Sequence, residues 1–488
     1  MIKPWQILIF IISTLFVLLL LTIPFANGKI KISDNFNLKF ISFNSLLENK
    51  KTEYVDISDI VNIKIDEPEI AVNKGTDTAD VKNIDSLEIK TKSIQTLIYS
   101  DAGRILLYNF FEDMEKSRKT AHVLHYGDSQ IEGDRITGYL RYKMQKRFGG
   151  SGNGLVAADK LAESFSINQE IEGNWKRYNI FGRRDSNLTH RNYGAMGTFS
   201  RFAPLKMQAD TPVYEASINF SRSNIAYRND RYYNKVRLFY GNSHEPVLAE
   251  VYADDKLIHF DKLSTKKSVQ VKEWYLKKSP KKLSIKFTGK DSPDIYGISL
   301  ENTRGIVVDN IPMRGASGTD FTSIYYSSYK KMFNLLNVKM VILEYGGNAI
   351  PYIKTERGVK RYCNAFYKQL KMFKKLDKRI PIIVIGPADM SQNIDGEFIS
   401  YPMLPSVIEE MKLVTKKAGY IYWDMFEAMG GENSMPAWVN SEPPLAAKDY
   451  IHFSHKGAKI IAEKFYEALE KALNEYDENK EKNIEYSL

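Results

Sequence analysis

Ser129 stands in His125-Tyr126-Gly127-Asp128-Ser129-Gln130, after a mostly apolar stretch, residues 121–126, and before residues 131–148, whose apolar side chains repeat at helical spacing. That pattern predicts a short buried strand, a tight turn and a helix, with the serine on the turn. A serine placed so exposes its hydroxyl at the carboxyl edge of a sheet, where open α/β folds bind their ligands. Its own N–H then lies at a helix N-terminus that favours developing negative charge. The chemistry such a serine could do is nucleophilic attack. A serine hydroxyl needs a base to take its proton, and the base needs a carboxylate to fix its tautomer and stabilise its charged form. Asp449-Tyr450-Ile451-His452 supplies such a pair, and the three-residue gap lets both side chains point the same way from one loop. His455 follows in Phe453-Ser454-His455-Lys456-Gly457, where it reads as a loop or helix-start residue.

A Gly-Asp-Ser tripeptide by itself is common in turns. A third stretch gives it context: Met340-Val341-Ile342-Leu343-Glu344-Tyr345-Gly346-Gly347-Asn348 reads as a hydrophobic strand ending in glycines and an asparagine. In this order the three stretches resemble the SGNH (GDSL-type) hydrolase superfamily. The resemblance implies Ser129 as nucleophile and Asp449 with His452 as the rest of a triad. It also implies an oxyanion site made by the N–H groups of Ser129 and Gly315 (in Arg314-Gly315-Ala316-Ser317-Gly318) and by Asn348, and it implies no cofactor. One departure limits the carry-over: Asn348 is followed by Ala349, where the family more often has an acidic residue.

The elements that must position these residues follow from the rest of the chain. Its 488 residues are too many for one ordinary core, and 43% hydrophobic content is ample for packed domains. The formal charge of +10 is spread over many lysines, which reads as a solvated basic surface and assigns no nucleic-acid role. With Cys363 alone, no intrachain disulfide can form, and a lone helical cysteine reads as a small core residue. His122 and His125 are three apart on a strand and so face opposite sides, which leaves no metal pair.

Residues 1–31 carry a nearly unbroken apolar run, 5–23, long enough for a membrane anchor and longer than a signal-peptide core. The alternative is cleavage after residues 26–28 and secretion. Either way the body is expected outside the cytoplasm, in a periplasm or at a cell surface. Residues 32–92 read as a flexible tether and residues 93–154 as the first part of the hydrolase domain, with Ser93 as the N-cap of its opening helix. From 155 to 303 β-type segments replace helical periods, at 214–220, 235–240, 247–252, 268–271 and 282–287, which predicts an inserted β-sandwich. Residues 304–473 alternate as the second part of a doubly wound α/β fold with a parallel sheet, with 429–448 as an active-site loop, and 474–488 form a charged, frayed tail. Asp424, at a strand end, reads as a loop anchor.

A hydrolase domain split after its first helix by a β-rich module looks like the bacterial peptidoglycan O-acetylesterases with an inserted carbohydrate-binding-type domain. The implied function is an extracytoplasmic serine esterase that removes O-acetyl groups from peptidoglycan or another surface glycan, its partners being that glycan and, through the N-terminal helix, a membrane. Tyr232, Tyr233, Trp274 and Tyr275 are the aromatic residues of the insert that could stack on sugars. An O-acetyltransferase with the same residues and a non-catalytic glycan-binding protein are the alternatives. The glycan and the oligomeric state stay open.

Overall fold

The computed structural model describes residues 3–22, 29–33, 36–39, 54–63, 65, 95–160, 162–206 and 210–485. The chain divides into two compact units, Met1–Tyr54 and Val55–Leu488. The first contains the 19-residue helix Pro4–Thr22 and one antiparallel strand pair, Lys29–Ser33 with Phe36–Lys39. Trp5, Leu8, Ile11, Leu15 and Leu18 are exposed on that helix, as are Ile7, Phe10 and Phe16 between them, so no face of it is covered. Counting the described residues, no helix is long and apolar enough to cross a membrane.

The second unit is built on a 6-stranded sheet in the order Ile306–Pro312, Ala121–Gly127, Val338–Glu344, Ile382–Ile385, Ile421–Trp423, Ile98–Tyr99. All pairings are parallel except the last, where Ile98–Tyr99 runs antiparallel along the edge. Leaving that edge aside, the chain order across the sheet is 2-1-3-4-5, and it reverses between the Ser129 strand and the Asn348 strand. A parallel sheet is covered on both faces, so its strands read as continuous buried runs, and every residue of Ala121–Gly127 is buried. Two core clusters flank it. One contains Leu124, Val341, Phe366 and Met411; the other contains Val123, Ile342, Trp423 and Phe465. Cys363 is buried in the first of them, on the helix Glu356–Leu376.

Between the helix Thr137–Phe148 and the strand Ile306–Pro312 the chain forms two further antiparallel sheets. One has Gln270–Tyr275, Lys235–Gly241, Asp294–Glu301, Thr198–Arg201 and Lys176–Asn179, with Gly154–Val156 pairing to Asp294–Glu301. The other has Lys256–Lys262, Leu248–Ala253, Lys282–Gly289, Tyr214–Arg222 and Ile167–Glu172. Val236, Leu238 and Ile298 of the first share one core with Ile218, Val251 and Ile285 of the second. These strands belong to the same compact unit as the parallel sheet.

Several expectations need correction. The helix after Ser129 starts only at Thr137: Ser129–Asp134 is a 3-10 turn, interrupted at Glu132 (ψ 147°) and Gly133 (φ 70°), conformations no helix can continue through. Before the sheet, the opening helix is Asp101–Lys116, capped by Ser100 through Gly103 N–H, because Ile98–Tyr99 is drawn into the sheet edge. The expected cap, Ser93, lies outside the described residues. Part of the expected tether is docked: Ile57 and Ile60 are buried against the body, and Lys456 Nζ donates to Val61 O at 3.5 Å. The stretch 429–448 contains the helix Ser434–Asn440 with a buried Trp438. The final helix, His455–Glu485, runs through most of the expected frayed tail, held by pairs such as Lys480 with Glu115.

Candidate active site

Ser129 begins the turn at the carboxyl end of its strand, and Asp128 shapes that turn. The Asp128 Oδ1 atom accepts Gln130 N–H at 2.9 Å, a side-chain mimic of a backbone turn. Ser129 Oγ lies 2.8 Å from His452 Nε2, and His452 Nδ1 lies 2.7 Å from Asp449 Oδ2. The other carboxylate oxygen, Asp449 Oδ1, accepts the backbone N–H groups of Ile451 and His452, each at 3.0 Å. Burial raises the Asp449 pKa, but the His452 side chain and these two donors outweigh it and hold the carboxyl below its ordinary value. The structure thus brings together, in one hydrogen-bonded line, residues 320 positions and more apart in sequence.

The loop that carries His452 is fixed to the serine turn. Gln130 Nε2 donates to Ile451 O at 2.6 Å, and its Oε1 accepts Phe453 N–H at 3.3 Å. Arg135 spans the same gap, with Nη1 donating to Phe453 O and Nη2 to Ser129 O. Tyr450 takes a left-handed φ of 58° that turns Asp449 back toward His452, and its ring stacks on Phe398 with centroids 3.6 Å apart. His455 is not part of this line: its ring packs edge-on against Phe165.

Asn348, on the 3-10 turn Gly347–Tyr352, enters the same cavity, of about 180 Å³, that Ser129 and His452 line. Its Nδ2 donates to Asp128 Oδ2 and to Ala316 O, both at 3.1 Å, so a bond to an oxyanion would replace one of these. Gly315 is the third residue of a turn closed by Ala316 N–H to Met313 O at 2.9 Å; its φ of 81° is what such a turn requires there. It is not among the residues lining the cavity, and its block reaches the site through Ala316 O. Asp424 caps the helix Met425–Ala428 and pairs with Lys412 at 2.7 Å. Among the described residues no group of three or more His, Cys, Asp or Glu side chains is placed to hold a metal ion.

No family model matches the chain, and no curated protein matches it. Among solved structures, one of a peptidoglycan O-acetylesterase in action superposes with a TM-score of 0.58 at 20% identity, over 78% of this chain and 99% of that one. A GDSL-like lipase from Bacteroides thetaiotaomicron aligns at 16% identity over 34% of this chain and 76% of that one, with a TM-score of 0.26. An acetyl xylan esterase aligns at 14% identity over 33% and 81%, also at 0.26. The chain shares the fold of that O-acetylesterase structure. Only the first superposition is close enough to bear on it; the other two carry no weight of their own.

In this sheet the serine and asparagine turns flank the point where strand order reverses, which is where open α/β sheets form their ligand crevice. Two residues of this crevice, Asp128 and Gln130, were not singled out from the sequence, nor was Arg135, which braces it from outside. The only signal was the polar run Asp128-Ser129-Gln130 straight after a buried strand. Asp128 is fully buried, and burial first, with Glu344 and Glu132 nearby, pushes its carboxyl up to about 7. Of the four insert aromatics, Trp274 and Tyr233 are core residues, with Trp274 Nε1 donating to Asp261 Oδ2 at 2.7 Å. Tyr232 and Tyr275 remain exposed.

Proposed function

We propose that this chain is a serine esterase that removes O-acetyl groups from peptidoglycan or another surface glycan. The observation that carries the reading is the Ser129–His452–Asp449 line at the carboxyl edge of the sheet. Ser129 Oγ attacks the acetyl carbon while His452 Nε2 takes its proton. The tetrahedral oxyanion is held by the Ser129 N–H and by Asn348; Gly315, which does not line the cavity, serves as a third donor only if its turn shifts toward Ser129. On collapse His452 returns the proton to the departing sugar oxygen, leaving acetyl on Ser129. Water, deprotonated by the same imidazole, then releases acetate. The cavity of about 180 Å³ has room for roughly six waters, which suits a short acyl group. The similarity to a peptidoglycan O-acetylesterase supports a glycan substrate. Membrane attachment through Pro4–Thr22 and, separately, a position outside the cytoplasm belong to the proposal: the exposed apolar side chains of that helix suit lipid better than water, although the helix is not long and apolar enough to cross a membrane.

The test is acetate release by the full chain from acetylated peptidoglycan and from acetylated xylan, with and without an excess of a sugar acceptor. Released acetate that disappears in Ser129→Ala supports the esterase. Acetyl recovered on the acceptor instead of in solution would make the chain a transferase, and no release from either polymer would overturn the reading. For attachment, recovery of the chain in the membrane fraction after alkaline carbonate extraction is expected; a chain found wholly in the supernatant would refute it.

A further inference from the structure

A second cavity, of about 90 Å³, lies beside the serine turn. Gly133, Pro312 and Met313 line it from the α/β side, and Arg177 and Asn179 line it from the strand Lys176–Asn179. Met313 N–H donates to Gly127 O at 2.8 Å, so this wall hangs from the same strand end as the nucleophile.

Three cationic side chains line the cavity, and two of them are already engaged. Arg141 holds Asp134 in a fork, with Nη1 and Nη2 each 2.8 Å from a carboxylate oxygen. Lys160 Nζ donates to Glu163 Oε2 and to Gln169 O. Arg177 is different. Its Nε and Nη2 are buried and have no hydrogen-bond partner, and no ion pair is made by it among the described residues. Asp159 acts on its charge from beyond ion-pair distance, and burial lowers its pKa. A guanidinium stays charged regardless, so two buried donors without acceptors are a standing electrostatic penalty. Nε–H and Nη2–H form one edge of the guanidinium plane, the fork that fits both oxygens of a carboxylate. The cavity has room for roughly three waters, or for a carboxylate and the small group that bears it.

We propose that Arg177 and this cavity form a subsite for a carboxylate of the glycan, carried next to the sugar whose acetyl ester Ser129 attacks. This rests on the glycan-esterase reading for its biological meaning, but not for its test. The carboxylate could come from a uronic acid or from a lactyl ether on an amino sugar; both offer the same two oxygens.

The test is calorimetric titration of the full chain with glucuronic acid and with N-acetylmuramic acid, each beside its methyl ester. The acid that fits should bind at least ten-fold more tightly than its ester, and which acid does so identifies the source. Arg177→Gln should abolish the difference, Arg177→Lys should restore only part of it, and Ser129→Ala should keep it. Equal binding of acid and ester to the unmodified chain would overturn the proposal and leave water as the occupant. So would an acid preference that survives in a folded Arg177→Gln. If the preference holds while no acetylated polymer releases acetate, the subsite stands and the esterase reading falls.

Discussion

In the proposed mechanism Ser129 and His452, 2.8 Å apart, act on one proton, so removing either should cost nearly as much as removing both. Ser129→Ala and His452→Ala are each expected to lower kcat by about 10⁴-fold or more on a small acetyl ester, with the fold intact by circular dichroism. His455→Ala should leave the rate within a few-fold, because that ring touches Phe165 and not the serine. Loss in His455→Ala alone would move the base by three positions. Asn348→Ala should lower kcat by about 100-fold with little change in KM, as an interaction made in the transition state requires; a rise in KM alone would make it a substrate contact. Asp128 gives a different readout. Its pKa in the folded chain, about 7, exceeds the ordinary 3.8, so the folded state binds the extra proton between those values and loses stability as pH rises through them. Asp128→Asn should flatten that part of the urea-unfolding profile between about pH 4 and 7. An unchanged profile would place the proton elsewhere.

Between elements, the decisive contact is the one from the serine turn to the loop after residue 448. Gln130 both donates to and accepts from that loop, and Arg135 donates to its next carbonyl. Asp449 and His452 are partly exposed, so the loop's own packing does little to hold them, and Gln130 is a positioning residue. Gln130→Ala should lower kcat by about ten- to 100-fold at little changed KM and lower stability by about 1–3 kcal/mol, the usual result of orphaning buried polar groups. Gln130→Glu should not rescue the rate, since a carboxylate cannot donate to Ile451 O. Equal activity in all three proteins, measured on a small ester, would show that the loop holds itself.

At the scale of the whole molecule, the two-sheet region and the α/β sheet meet through a buried histidine. His122, on the serine strand, places Nδ1 2.8 Å from Asp309 Oδ2 and Nε2 3.0 Å from Glu301 Oε2, the latter on the strand Asp294–Glu301. Burial lowers the His122 pKa, but the two carboxylates outweigh it and lift it to about 9, while His122 and Arg237 hold Glu301 down to about 2. With a folded pKa above the ordinary 6.5, the histidine's contribution is complete below about pH 6.5 and fades as pH rises through 9. Stability should fall by up to about 3 kcal/mol across that window, and His122→Asn should lose the dependence; a flat wild-type profile would mean a neutral imidazole. Sequence alone suggests a module that could be cut out while sparing small-ester hydrolysis. The Glu301 contact argues otherwise: replacing residues 166–303 with a linker takes away one of the two carboxylates that pair with a buried imidazole on the strand leading to Ser129, and leaves His122 with Asp309 alone. Hydrolysis of small and polymeric esters should therefore fall together. Survival of the small-ester rate in a folded product would show that the region is separable after all.

What the sequence determined by itself is local: buried runs such as 338–344, the helix around Cys363, the strands at 214–220 and 282–287, and the order of the serine, asparagine and Asp-x-x-His stretches. Each rests on residue types within a few positions of one another, where periodicity and turn chemistry act directly. What only the tertiary structure decided is which distant groups share an environment. Gly133 ends the serine turn before a helix can form, Ile57 and Ile60 leave the expected tether for a core, and Trp274 turns inward while Tyr275 stays out. Gln130, Arg135 and His122 look like ordinary polar residues in the chain. Their partners lie 321, 318 and 179 positions away, and a hydrogen bond's worth is set by burial and by the partner it finds, neither of which a sequence neighbour reveals.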